Sequence, residues 1–356
     1  YCYLVNYYSS TSANLHLINN EIIVRGNYYG IYAYYTRAQI IHNSIYIMGT
    51  SNSNGLYIYN TTTIPVNIMN NNIVNMSTGA SATAIYVLTA NTAISADYNN
   101  YYSVQGTPCR VSTPLYNLTS WQNATGLDYN SSSILPTYTN LAIDLRIKGE
   151  ELLCRKQSGV NYDLYGTTRK QLTNMGAYHT YVPLAYDIMP LSIISPTEDV
   201  SNYFSVPIRI SVLNRGDSAI TDFDIHWSVN GVDQPIYHWT GTPLAMGDST
   251  MPILIDYYSP SMGFNTFLFY TSLPNGNSDG SPDNDTISIV SFACAGELSG
   301  IYTIGGNSSD FEDITTAVRV LKTCGIADNV IFKIQSGTYN ENISLLEPIM
   351  DASSPY

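Results

Sequence analysis

Apolar and polar positions alternate with a period of two through most of the first 115 residues, in short bursts separated by Asn, Gly, Ser and Thr. That period predicts strands with one buried face. The bursts also repeat. Aligning LHLINNEIIV, IIHNSIYIMG, VNIMNNNIVN and SADYNNYYSV brings Asn20, Asn43, Asn71 and Asn99 into register, 23, 28 and 28 residues apart. Each is followed two positions later by Ile22, Ile45, Ile73 or Tyr101. A second burst keeps step: Gly30-Ile-Tyr-Ala-Tyr, Gly55-Leu-Tyr-Ile-Tyr and Ala84-Ile-Tyr-Val-Leu, 25 and 29 residues apart.

A repeat of this length with two or three short strands per turn predicts a right-handed parallel β-helix; a leucine-rich repeat would need a Leu lattice that is absent. Equivalent residues of successive rungs then stack at the interstrand spacing of about 4.8 Å. The four Asn would form a ladder at a turn, where Asn tolerates the left-handed conformation. Ile31, Leu56 and Ile85 would point inward. Tyr32, Tyr57 and Tyr86 would form an outward column with Tyr34, Tyr59 and Leu88 beside it. Such a column is a candidate glycan-contact surface, because aromatic rings on a sheet offer a platform for sugars. The competing expectation is that the rings pack rung on rung and shield the sheet.

From Trp121 the pattern changes. Trp121, Thr125, Gly126, Asp128, Ser131 and Pro136 fit W..ATG.D..S....P, and Asp163, Gly166, Arg169, Gly176 and Ala177 follow at a second set of spacings. Together they resemble the closing end of many bacterial β-helix proteins, with Leu164-Tyr165 departing from the usual Asp-Gly. The resemblance implies final rungs and a cap, nothing catalytic, and a structural ion pair between Asp163 and Arg169.

Pro183, Pro190 and Pro196 predict a stiff linker over 183–196. Alternating strands follow, punctuated by Asn214-Arg-Gly, Asn230-Gly231, Met246-Gly-Asp and Pro274-Asn-Gly, as in an immunoglobulin-like β-sandwich over 197–295. IHWSVNG and PNG..D..P.NDT resemble modules found beside β-helices in large bacterial surface proteins. In 296–356, Ser309 and Glu312 predict a capping box, Phe311, Ile314, Val318 and Leu321 one helix face, Gly325 its end, and NVIFKI and NISLL strands. The run SG.YTIGG...F.....AV..L...G resembles the N-terminal cap of a second β-helix. The predicted organisation is thus all-β: a β-helix with closing cap over 1–182, linker, sandwich, and the N-terminal helical cap and first rungs of another β-helix. YCYLVNYYSS reads like the middle of a strand array, so a piece of a longer chain is expected, with neighbouring modules of that chain as partners.

Composition narrows the function. Charged residues are 12 % of the chain, against roughly 25 % in ordinary domains, while Tyr occurs 32 times. Too few Glu, Lys and Arg are present to surface a large helical enzyme. The net charge of −13, without a Lys/Arg cluster, argues against a nucleic-acid partner. No apolar run approaches a membrane span. Cys2, Cys109, Cys154, Cys294 and Cys324 lack metal-ligand spacing; one or two disulfides with a free thiol, or five buried thiols, both remain open.

A lyase or glycosidase needs paired carboxylates for acid and base work, or carboxylates with Ca²⁺ and a basic residue on one face. Up to residue 115 the charges are Glu21, Arg25, Arg37, Asp97 and Arg110, with Glu21 and Asp97 three rungs apart. His16 and His42 lack an acidic partner. No catalytic residue and no cofactor is expected. Asp279, Asp283 and Asp285, with Asn277 and Asn284, form a candidate calcium site, against the alternative that Asp and Asn in a turn cap backbone groups. Asp217-Ser218, Asp248-Ser249 and Asp285-Thr286 resemble the O-glycosylation motif of proteins exported by the type IX secretion system, making Ser218, Ser249 and Thr286 candidates. The expected protein is a non-enzymatic, extracellular or bacterial cell-surface, adhesin-like structural segment that contacts glycans or other surface proteins. The alternative is a polysaccharide-binding or polysaccharide-degrading β-helix protein whose catalytic part lies outside this stretch.

Overall fold

The computed structural model describes residues 15–59, 64–89, 93–140, 144–200, 205–261, 263–294, 296–306 and 308–343. It divides into two units, Tyr1–Val182 and Pro183–Tyr356.

The first unit is a parallel β-helix. Its first sheet stacks Leu15–Ile18, Ala38–Ile41, Val66–Met69 and Ile94–Asp97; its second stacks Glu21–Arg25, Ser44–Met48, Asn72–Asn75 and Asn100–Ser103. The third stacks Tyr29–Tyr34, Asn54–Tyr59, Thr83–Val87 and Cys109–Val111, with Leu115–Tyr116 added antiparallel. Like stacks on like: Ile31, Leu56, Ile85 and Cys109 share one inward column and all are fully buried. Each buried aliphatic side chain contributes roughly 1.5–3 kcal/mol. Cys109 is thus a small apolar member of that column. Gly30 and Gly55 are required by the next rung, since a Cβ would fall 2.6 Å from Gly55 O and 2.5 Å from Ala84 O respectively.

The asparagine ladder forms, but the left-handed residue is the one before each ladder Asn: Asn19, His42, Asn70 and Tyr98, with φ of 53–58°. The ladder residues themselves turn inward, where Asn43, Asn71 and Asn99 are fully buried.

Helix Leu118–Thr125, which the alternation did not predict, closes the coil. Asn117 caps its start, Gly126 its end, and Trp121 seals the core. The chain beyond is not simply more rungs. Hairpins Tyr138–Asn140/Asp144–Ile147 and Leu153–Arg155/Leu172–Asn174 lie over the outside of the second sheet. The cause is an outward column of Ile23, Tyr46, Val74 and Tyr102, too apolar to leave bare. Asp163 and Arg169 are not paired. Asp163 accepts backbone N–H groups of Tyr165, Thr167 and His179. Arg169 donates to Asn19 Oδ1 and to the carbonyls of Asn174, Gly176 and Tyr178. Burial pushes its guanidinium down to about 10.

In the second unit the expected linker is a strand. Ile188–Ser195 pairs antiparallel with Val206–Asn214, which pairs with Ile253–Tyr258. Pro190 is tolerated because this strand is at the sheet edge and its register shifts there. The facing sheet runs Asp199–Val200, Thr286–Ala293, Gly263–Ser272, Ile220–Val229, with Val232–Asp233 and Tyr237–Leu244 both on the last. Ile208, Ile210, Val212, Phe223, Ile225, Trp227, Phe267 and Phe269 fill the space between as a β-sandwich core. Asn230 and Gly231, both at positive φ, make the tight turn their sequence announces.

Strands Leu298–Ile304 and Ile326–Ile334 then pair in parallel around helix Ile314–Cys324. The capping box is displaced. Phe311 bonds to Thr303 of the strand and to Gly305 just past it, so the helix cannot start at Ser309; Asp313 caps it, accepting from Thr316 N. The buried face is Ala317, Val320 and Leu321 rather than Ile314 and Val318. Most of NISLL, and Cys2, lie outside the described residues. Cys294 and Cys324 form a disulfide, and Cys154, like Cys109, is a buried thiol.

Candidate functional site

The third sheet places Tyr32, Tyr57, Tyr86 and Arg110 in one register column, and Tyr34 beside Tyr59. All five tyrosines are half-buried. Tyr32 and Tyr57 are near-parallel, 10° apart in plane and 5.0 Å between centroids; Tyr34 and Tyr59 are 4.8 Å apart. The Tyr32–Tyr57 pair is offset-stacked, so these two rings turn faces to each other and edges outward, whereas Tyr34 and Tyr59 are tilted by 34°. The rings therefore do not lie flat as a stacking platform. Tyr86 stands edge-on to Tyr57 at 4.8 Å, and the Arg110 guanidinium covers it at 4.4 Å. Burial, and then the neighbouring phenols, push Tyr57 up to about 12, so its hydroxyl remains a hydrogen-bond donor at neutral pH. Tyr29 and Tyr35 join the cluster, 5.1 Å from Tyr57 and Tyr59 respectively. Alternation alone missed them because Tyr29 lies off the aligned column and Tyr35 just past the strand.

The Asn ladder is polarised. Asn20 Nδ2 donates to Asn43 Oδ1 (2.8 Å), Asn43 Nδ2 to Asn71 Oδ1 (2.9 Å), and Asn71 Nδ2 to Asn99 Oδ1 (2.9 Å). Asn99 Nδ2 donates to the Asp128 carboxylate at 3.0 Å, which also accepts from Ser131 Oγ and Trp121 Nε1. Every amide dipole points the same way, toward a buried negative end. The resemblance marked Asp128, but its place as ladder terminus was not foreseen.

The coil carboxylates are occupied structurally. Glu21 accepts from Leu145 N and the Tyr178 hydroxyl, and Asp97 from Asn130. His42 is buried and held neutral chiefly by burial, its Nε2 3.0 Å from Asn70 Nδ2; His16 is exposed.

Among the candidate calcium ligands, Asp279 accepts from Ile188 N and Ser281 N, Asp283 is exposed, and Asn277 bonds to Asn275 O. Among the described residues, no three acidic, His or Cys side chains are placed to hold a metal ion. Asp285 is the unusual member: it is 7 % exposed and its Oδ1 accepts no hydrogen bond. Burial first, then Asp279 and Asp187, push it up to about 7. A carboxyl raised above its ordinary 3.8 stabilises fully below that value, and the contribution disappears as pH rises through about 7. The sandwich is therefore expected to melt a few degrees higher at pH 5 than at pH 8 in calorimetry. Asp285→Asn should flatten that profile, and an unchanged slope in this variant would assign it to other groups.

Ser249 and Thr286 are exposed and Ser218 half-buried. Ser218 and the Asp248-Ser249 turn meet around Asn214, which bonds to both segments, so two of the three motif hydroxyls sit at one end of the sandwich. Among the described residues, no helix is long and apolar enough to cross a membrane.

No family model and no curated protein matches the chain. Among solved structures, it is similar to the CARDB domain of a Pyrococcus furiosus protein in complex with di-metal ions. That likeness has 12 % identity and a TM-score of 0.26, over 32 % of this chain and 94 % of the other. A second is a domain described as part of a cell-surface protein of Methanosarcina acetivorans, with 18 % identity and a TM-score of 0.26, over 32 % and 95 %.

Proposed function

We propose that this chain is a non-enzymatic structural segment of an extracellular or cell-surface protein, a rigid β-helix and sandwich whose tyrosine face contacts glycans. The observation that carries the reading is the ladder. The polar side chains that a catalytic coil would direct at substrate are here turned inward and consumed in an unbroken chain of hydrogen bonds from Asn20 to Asp128. Glu21 and Asp97 are likewise engaged, on different sheets, and among the described residues neither faces a second carboxylate or a histidine. The Cys294–Cys324 disulfide supports an oxidising compartment. Glycan contact, on this geometry, runs through phenol hydroxyls and ring edges rather than ring faces.

Incubating the full chain with a polysaccharide panel is expected to yield no new reducing or unsaturated ends. Retardation in polysaccharide-containing native gels is expected, and weakened by Tyr57→Ala. Cleavage abolished by Glu21→Gln or Asp97→Asn would instead establish the degrading alternative.

A further inference from the structure

We propose that the third sheet of the β-helix selects acidic polysaccharides, with Arg110 engaging a carboxylate or sulfate and the tyrosine edges hydrogen-bonding the sugar backbone; this rests on the glycan-contact reading above. Three observations converge on it. The strands of this sheet, 29–34, 54–59, 83–87 and 109–111, contain no Asp or Glu, and no acid occurs anywhere between Glu21 and Asp97. In a chain of net charge −13, the rest of the molecule repels a polyanion while this face does not.

The ring geometry points the same way. An aromatic ring is negative over its face and positive at its edge. Stacking of Tyr32 on Tyr57 covers those two faces and leaves ring edges outward, which suit an anion better than an apolar sugar face; Tyr34 and Tyr59, tilted by 34°, cover theirs in part.

Arg110 completes the column. Its Nε donates to Ser112 O at 3.0 Å and its guanidinium rests on Tyr86, so the side chain is held in place, with one of its five N–H donors used among the described residues. A guanidinium fixed in this way presents its terminal amino groups for a bidentate, charge-assisted contact with a carboxylate or sulfate.

The test uses the full chain with alginate and chondroitin sulfate as acidic probes and dextran as the neutral one, followed by affinity electrophoresis and titration calorimetry. Both acidic polymers are expected to bind at least tenfold more tightly than dextran, with affinity falling as salt rises. Arg110→Gln should lower acidic-polymer affinity about tenfold without moving the melting temperature, while Arg110→Lys retains more of it than Gln does. If Arg110→Gln proves unstable, the salt dependence and the acidic-to-neutral ratio of the unaltered chain decide alone. Equal binding of dextran and alginate, insensitive to salt, would overturn the selectivity and leave glycan contact standing. Binding of none of the three overturns both.

Discussion

Replacing Asp128 by Ala is expected to cost the β-helix about 3–5 kcal/mol, on the scale of removing one partner of a buried charged network. The side chain is 1 % exposed and accepts three hydrogen bonds of 2.7–3.0 Å, from Ser131, Trp121 and Asn99. Without it, three donors lose their acceptor, two of them, Trp121 and Asn99, buried, and each stranded buried group costs roughly 1–3 kcal/mol before relaxation. The loss also reaches beyond the site. A row of aligned amides polarises its members cooperatively, and a negative charge at the acceptor end stabilises every dipole behind it. Burial raises the Asp128 carboxyl while the Asn99, Ser131 and Trp121 bonds oppose that rise, the balance of a group kept for its neighbours. Urea unfolding at neutral pH measures the loss. Asp128→Asn, which keeps one acceptor oxygen but turns an amino group toward a donor, should fall between wild type and Ala. A cost below about 1 kcal/mol for Ala would mean that the ladder needs no terminus.

What the alternation revealed, and what it hid, separates along physical lines. The spacing of Asn20, Asn43, Asn71 and Asn99 located the rungs because every rung meets the same constraint at the same corner. Inward columns such as Ile31, Leu56 and Ile85 were legible for the same reason. Contacts that depend on orientation were not. A Tyr at every rung specifies a column, yet nothing in the string says whether the rings lie flat or stack. Likewise Asp163 and Arg169 have opposite charges and nearby positions, but the turn backbone claims the carboxylate first. The Pro183–Pro196 stretch reads as a linker because Pro is rare in strands; at a sheet edge, with a register shift to absorb it, Pro190 fits. The outward apolar column of Ile23, Tyr46, Val74 and Tyr102 went unread, and alternation along one strand does not say which distant segment will cover it.

The largest effect expected outside the coil comes from cutting the Cys294–Cys324 bridge. It closes a 30-residue separation, for which the chain-entropy estimate is about 3.5 kcal/mol. The bridge ties the end of the last sandwich strand to the last turn of helix Ile314–Cys324. Phe292, Leu298, Val320 and Leu321 pack around it as a shared small core. Arg319 adds a second tie, donating to Asp199 Oδ1 at 2.9 Å and lying 5.3 Å from the Phe264 ring. That surface pair is worth under about 1 kcal/mol, so it cannot substitute for the disulfide. Among the described residues, strand Ile326–Ile334 pairs with Leu298–Ile304 alone, and two strands with one helix make a marginal unit on their own. In Cys294→Ser/Cys324→Ser, the segment 298–334 should therefore open before the sandwich does. Hydrogen exchange would show Leu298–Ile304 and the helix losing protection, while Phe267 and Phe269 in the sandwich core keep theirs. Uniform loss across both would mean instead that sandwich and coil start unfold as one cooperative unit, with the bridge as its common fastening.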